Sequence, residues 1–473
     1  MIILYLLNVF VFVNKFEAFS REVRNNIFRG EFFLIWLVNS YTFLVGLSRA
    51  FYTALFNLYL KENQITNQVI GTATFYYSWG LALGGFLFAS LSDRIGRKKT
   101  ILFTMPIYTL FGLLRLLNVS VVGWLYVVSF LFGFFDTSVI MPTITVIEHS
   151  DEKKRLRNSN INFAIALVTG VIGYFGAGVL GKSLGIFPTL VLSMILAFVS
   201  VVPVFAFPDV KVSKKRVKKQ NLTKTQKTML VYYLLSGALV SLAAGVFINF
   251  GNVIFYDLFK FSTLAITTVL AVSQLSTAAT SLFSHKLTAK YGYKLTLFLI
   301  YLSVTLLIFT MPLFTLNSLV FSAAYVLRYV LINISTPMYM VFCLSYLPKA
   351  SLATYSGLSY FLNNVMRASS AQLFASLSKN GVTDYNKLFL VSGFFYLANT
   401  LITLLAFYLI YKLSENETTS SKKFTKEDQM GEGKTYQRKN YFTYRPSKKT
   451  KNTKVSVHFH NTRFSRGRFN SEK

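Results

Sequence analysis

The chain has 473 residues, of which 53% are hydrophobic and only 14% charged, against about 25% charged in soluble domains; that excludes a soluble globular protein and leaves a polytopic membrane protein. A single cysteine (Cys343) excludes a disulfide framework or thiolate metal site, and the four histidines give no multi-histidine centre, so neither metal nor cofactor is expected. The net charge of +31 leaves nucleic acid, anionic lipid or membrane topology as its purpose, which its distribution along the chain decides.

Residues 1–31 are expected to form a cytoplasmic or interfacial segment. The apolar run 1–14 is short for a span, and no basic residue precedes it as a secretory signal requires. Beyond it, apolar stretches of about 20 residues or more predict twelve spans: 32–59, 67–91, 100–118, 121–147, 160–182, 185–207, 229–256, 264–288, 293–313, 316–346, 352–376 and 385–411. Lys and Arg gather in the loops after even-numbered spans: Arg94, Arg97, Lys98 and Lys99 after span 2, Lys153, Lys154, Arg155 and Arg157 after span 4, Lys290 and Lys294 after span 8. Loops after odd spans are poor in charge. The positive-inside rule then puts even loops and both termini in the cytoplasm of a multi-pass protein of the cell membrane.

Two basic segments lie outside the spans. Residues 208–228 carry 8 basic and 1 acidic side chains, and residues 412–473 carry 16 and 6. The first is a cytoplasmic linker that divides the spans into bundles at 32–207 and 229–411. The second is expected to be a disordered cytoplasmic tail. Both are expected to lie against anionic lipid, and nucleic acid is not expected as a partner. The two bundles look duplicated. Gly96 and Gly292 are 196 residues apart, Pro142 and Pro337 are 195 apart, and Tyr59 and Tyr256 are 197 apart.

Residues 89–99 read Ala-Ser-Leu-Ser-Asp-Arg-Ile-Gly-Arg-Lys-Lys, between spans 2 and 3. This resembles the loop 2–3 motif of the major facilitator superfamily, with Asp93, Arg94, Gly96, Arg97, Lys98 and Lys99 in place. Ala89 stands where the motif has its first glycine. A decayed copy, Ala289-Lys290-Tyr291-Gly292-Tyr293-Lys294, follows span 8. The resemblance implies an all-α membrane protein of twelve transmembrane helices in two six-helix bundles. It also implies alternating access around a cavity lined by helices 1, 4, 7 and 10, with the Asp93–Lys98 motif latching the cytoplasmic gate. No Walker A sequence is present, so the energy would come from a gradient rather than from ATP.

Charges within spans carry a cost of about 2.5–3.5 kcal/mol each and face a cavity or a partner. They are Arg49 in span 1, Arg115 in span 3, Asp136 in span 4, Arg328 in span 10 and Arg367 in span 11. Arg115 is expected to reach the outer interface. Arg49, Asp136 and Arg328 sit in polar stripes at helical spacing: Asn39, Thr42, Arg49 and Thr53; Ser129, Asp136 and Thr143; Tyr325, Arg328, Ser335 and Tyr339. Span 7 carries a fourth, uncharged stripe of Ser241, Asn249, Asn252 and Tyr256, and Arg367 on span 11 stands outside all four. Asp136, the only acid deep in a span, is the expected proton-coupling group. In the alternative, Arg49 and Arg328 clamp an organic anion in an exchanger. A transporter-like sensor without turnover stays open as a third reading. An enzyme is not expected, because no nucleophile–base pair or metal cluster stands at the membrane boundaries.

Overall fold

A computed structural model describes residues 31–138, 140–150, 154–207, 222–281, 284–348 and 352–428. Residues 1–30, residues 208–221 of the linker and residues 429–473 of the tail lie outside the described residues, as do Lys153, Lys349 and the side chains of Thr143, Arg155 and His285. Where they are described, both basic segments depart from expectation: residues 224–228 open the seventh span's helix, and residues 412–428, expected as disordered tail, continue the last helix.

The described chain is helical. The first half holds α1 (Glu31–Glu62), α2 (Asn67–Ile95), α3 (Arg97–Leu114), α4 (Val122–Phe134), α5 (Ile140–His149), α6 (Arg155–Ser183) and α7 (Ile186–Val199). The second holds α8 (Lys224–Phe247), α9 (Gly251–Phe259), α10 (Thr263–Ser281), α11 (Ser284–Phe314), α12 (Ser318–Ser345), α13 (Leu352–Leu377) and α14 (Tyr385–Asp428). Local signals set several starts. Thr66 caps α2, Asn317 caps α12, and Thr223 with Gln226 forms a capping box at α8. Gly96 at φ 95° separates α2 from α3, and Gly292 at φ 75° breaks α11 at the corresponding place. A side chain at either position would be strained, so these two glycines share one backbone reason.

Among the described residues, eight helical segments are long and apolar enough on their own to cross a membrane. The stretches expected as spans 2, 3, 4 and 11 fall outside that set, and the structure shows why for three of them. α2 and α13, rich in Gly, Ser, Thr and Asn, pack against each other across the two halves, where polar groups meet protein rather than lipid. Span 4 is not one continuous helix: it breaks after Phe134 and resumes at Ile140. Span 7 is also divided, by a 3-10 turn at Ile248–Phe250 between α8 and α9. Large apolar side chains such as Phe86, Phe163, Leu313 and Phe394 point outward and are exposed, as lipid contact requires.

The halves also meet where α6 packs on α10 and where α9 packs on α1. Within the first half, α2 and α4 approach backbone to backbone. A Cβ on Gly84 would stand 1.8 Å from the Phe134 carbonyl oxygen, and one on Gly133 would stand 2.0 Å from that of Tyr77. This close approach sets the broken end of α4 beside Tyr77.

Candidate functional site

The two helix breaks shape the site. Irregular backbone at membrane depth persists only where protein or a cavity satisfies its polar groups. At the first break the Asp136 carboxylate accepts from the Ser138 N–H (3.1 Å) and the Ser138 hydroxyl (2.5 Å), a local Asx-type turn two residues long. At the second, the freed Ile248 carbonyl accepts from the Tyr325 hydroxyl at 3.4 Å, and the Asn249 carbonyl accepts from Asn57 Nδ2 at 3.4 Å.

A cavity of about 180 Å³ lies between the halves. α1 contributes Arg49, Tyr52 and Asn57, and α2 contributes Thr74, Tyr77 and Ser78. Arg115 and Phe132 come from the third and fourth spans, and Asn249, Asn364 and Arg367 from the second half. Asp136 is buried just behind this wall, and two lining residues reach it. Arg49 Nη1 stands 3.8 Å from its Oδ2, and the Tyr77 hydroxyl donates to the same oxygen at 3.0 Å. Arg49 also donates to Ser138 Oγ at 3.1 Å, so Ser138 bridges the pair.

Arg115 does not reach the outer interface. It is buried, with Nε donating to Ser129 Oγ at 2.8 Å and its Cζ 3.8 Å from the Phe56 ring centroid. Tyr52, Tyr77 and Phe132 complete an aromatic cage around it at 5.4–5.9 Å. Ser129 shares the expected span 4 stripe with Asp136, which is the one sequence signal that could have drawn Arg115 inward.

Of the residues expected at the site, Arg49, Asn249 and Arg367 line the cavity, and Asp136 sits behind it. Arg328 is placed elsewhere, buried among Phe247, Tyr329 and Tyr396 with its guanidinium donating to the Tyr396 hydroxyl. Tyr325 supports the α8–α9 break. Tyr256 packs beside Lys260. Asn252 turns to α1, donating to the carbonyls of Thr53 (3.4 Å) and Ala54 (3.0 Å) and accepting from Asn57 at 3.3 Å. On span 1, Asn39 and Thr42 accept from Asn162 of α6 rather than facing the cavity.

The bundle end that carries loop 1–2 is tied across the halves. Lys61 Nζ pairs with Asp257 Oδ1 at 3.0 Å, and Asn67 and the Tyr385 hydroxyl both donate to Asp257 Oδ2. None of these four was singled out in the sequence, because a lone Lys or Asp at a span end reads as a loop charge. The opposite end carries the motif. Arg97 meets Asp93 Oδ1 at 2.5 Å and Glu148 with Nε (3.1 Å) and Nη2 (2.7 Å), and it also donates to Ser92. Arg94 is exposed. Lys98 is buried and donates to the Phe205 carbonyl at 2.7 Å, tying α3 to the turn after α7.

The nucleoside transporter NupG shares this architecture. It superposes with a TM-score of 0.61 at 16% identity, covering 79% of this chain and 99% of NupG, and a mutant form of NupG gives 0.63. A D-xylose–proton symporter gives 0.62 at 14% identity, covering 80% of this chain and 97% of its own. At these identities the likeness concerns the fold. No curated protein sequence matches the chain. The Major Facilitator Superfamily model matches residues 39–371, a stretch that holds the loop 2–3 motif, both helix breaks and the whole cavity wall. On that match the chain belongs to the major facilitator superfamily, a multi-pass membrane protein that works as a secondary transporter and not as an enzyme.

Proposed function

We propose that this chain moves a small organic solute across the cell membrane by alternating access, coupled to protons through Asp136. The observation that carries the reading is the Arg49–Asp136 pair, with the acid behind the cavity wall and the arginine in it. A carboxyl that exchanges an arginine partner for apolar surroundings can take up and release a proton. With Asp136 ionised, Arg49 is held by it. With Asp136 protonated, Arg49 is released toward the solute, so proton and solute occupancy become linked.

Rocking of the halves about the cavity exposes it to one side at a time. With even loops in the cytoplasm, the Lys61–Asp257 end faces outside and the Arg97 cluster faces inside. A proton symporter among the chains of this fold agrees with such coupling. The test is uptake into proteoliposomes under an imposed pH gradient. Asp136→Asn is expected to abolish uphill uptake while solute counterflow survives. Uphill, pH-driven uptake by Asp136→Asn refutes the coupling.

A further inference from the structure

We propose that the cavity takes a small organic dianion, anchored by Arg115 from the first half and Arg367 from the second. The inference rests on the carrier reading above and names its substrate class. Among the described residues, three guanidinium groups line the cavity and no Asp or Glu does. The one carboxylate behind the wall, Asp136, is engaged by Arg49. Among the described residues, neither Arg115 nor Arg367 has a carboxylate within ion-pair distance. Two positive charges at membrane depth are therefore left for whatever enters.

The Arg115 environment is built to hold a cation without neutralising it. Phe56 covers one guanidinium face, and Ser129 accepts from Nε. Ring faces stabilise the charge and leave the planar edge suited to a forked bond with a carboxylate or phosphate. Arg367 sits on α13, which belongs to the other half, so an anion held by both arginines draws the halves together. Uncharged donors and acceptors such as Thr74, Ser78, Asn249 and Asn364 fill the remaining polar wall.

Size limits the candidate further. About 180 Å³ is close to a cavity that admits benzene, roughly 150 Å³, and below the roughly 300 Å³ where drug-sized pockets begin. A four-carbon dicarboxylate or a three-carbon phosphate ester suits it in this conformation. NupG and the xylose symporter are named for uncharged solutes, so charge selection belongs to this chain's own side chains and not to the shared fold.

The experiment is thermal unfolding of the purified full chain with succinate, glycerol 3-phosphate, xylose or uridine, and with sulfate at matched ionic strength. We expect saturable stabilisation by one of the two organic dianions, and which one responds separates carboxylate from phosphate. Arg115→Gln and Arg367→Gln should each raise that Kd at least tenfold. Arg115→Lys, which keeps the charge and loses the fork, should raise it less, and Arg328→Gln should leave it unchanged. Stabilisation by xylose or uridine alone, by sulfate as strongly as by the organic dianions, or by none of the solutes overturns the proposal. So does a dianion Kd that Arg115→Gln leaves unmoved. Counterflow in proteoliposomes separates the two readings: counterflow of an uncharged solute removes the dianion and keeps the carrier, whereas a solute that binds without counterflow removes the carrier.

Discussion

The two ends of the bundle are held by different kinds of contact. At the loop 1–2 end, Lys61 and Asn67 of the first half meet Asp257 and Tyr385 of the second. At the loop 2–3 end, Arg97 gathers Asp93, Glu148 and Ser92, all from the first half. The first network must come apart before the halves can separate at that end. The second can ride intact on its own half while the halves rock. Ion pairs of similar length thus join different things, one linking the two halves and the other linking groups within a single half beside the turn at Gly96.

The contrast can be broken most forcibly at Asp257. Replacing it with Ala strands the Lys61 ammonium, whose side chain is 17% exposed, and removing one partner of a buried pair costs about 3 kcal/mol. Spin labels at Gln64→Cys and Lys260→Cys, in a Cys343→Ser background, are expected to report a longer distance in Asp257→Ala. The swap Lys61→Asp with Asp257→Lys should restore the short one. An unchanged distance in Asp257→Ala means that the network does not hold the halves together.

Arg97→Gln comes next in size. It removes charge-assisted bonds to a partly exposed Glu148, a loss of about 2 kcal/mol visible as a lower unfolding temperature. The distance between the labels at 64 and 260 should stay as it was, because the Arg97 cluster lies within one half. A change there would erase the distinction between the two ends. Tyr385→Phe is the mildest of the three. It takes one donor from Asp257 and should cost about 1 kcal/mol, with a small lengthened fraction in the same label pair.

Much of the fold was legible in the sequence, and parts of the site were not. Apolar run length gave the helices, and Gly96 and Gly292, singled out in the sequence as matching positions, both sit at positive φ, where a turn favours glycine. Asp136 and Arg49 stood out because charge is rare in a span, and the structure brings them together. Helical spacing misled where the helix itself breaks. The stripe through Ser129, Asp136 and Thr143 assumes one continuous helix, and the chain leaves helical geometry at Phe135. Periodicity counts residues and does not see an Asx turn that competes with the helix.

By itself, then, the sequence determined that this is a membrane protein of repeated apolar helices with a superfamily motif after the second span. Those features are local: hydropathy, turn glycines and a run of eleven residues are complete within one stretch of chain. The tertiary structure alone decided which charges share a space. Arg115 and Arg328 are both buried arginines ringed by aromatics, yet only Arg115 lines the cavity. Lys61 finds Asp257 almost two hundred residues away. Such pairings depend on how α1 meets α9 and α2 meets α13, and no spacing rule within a single helix encodes that.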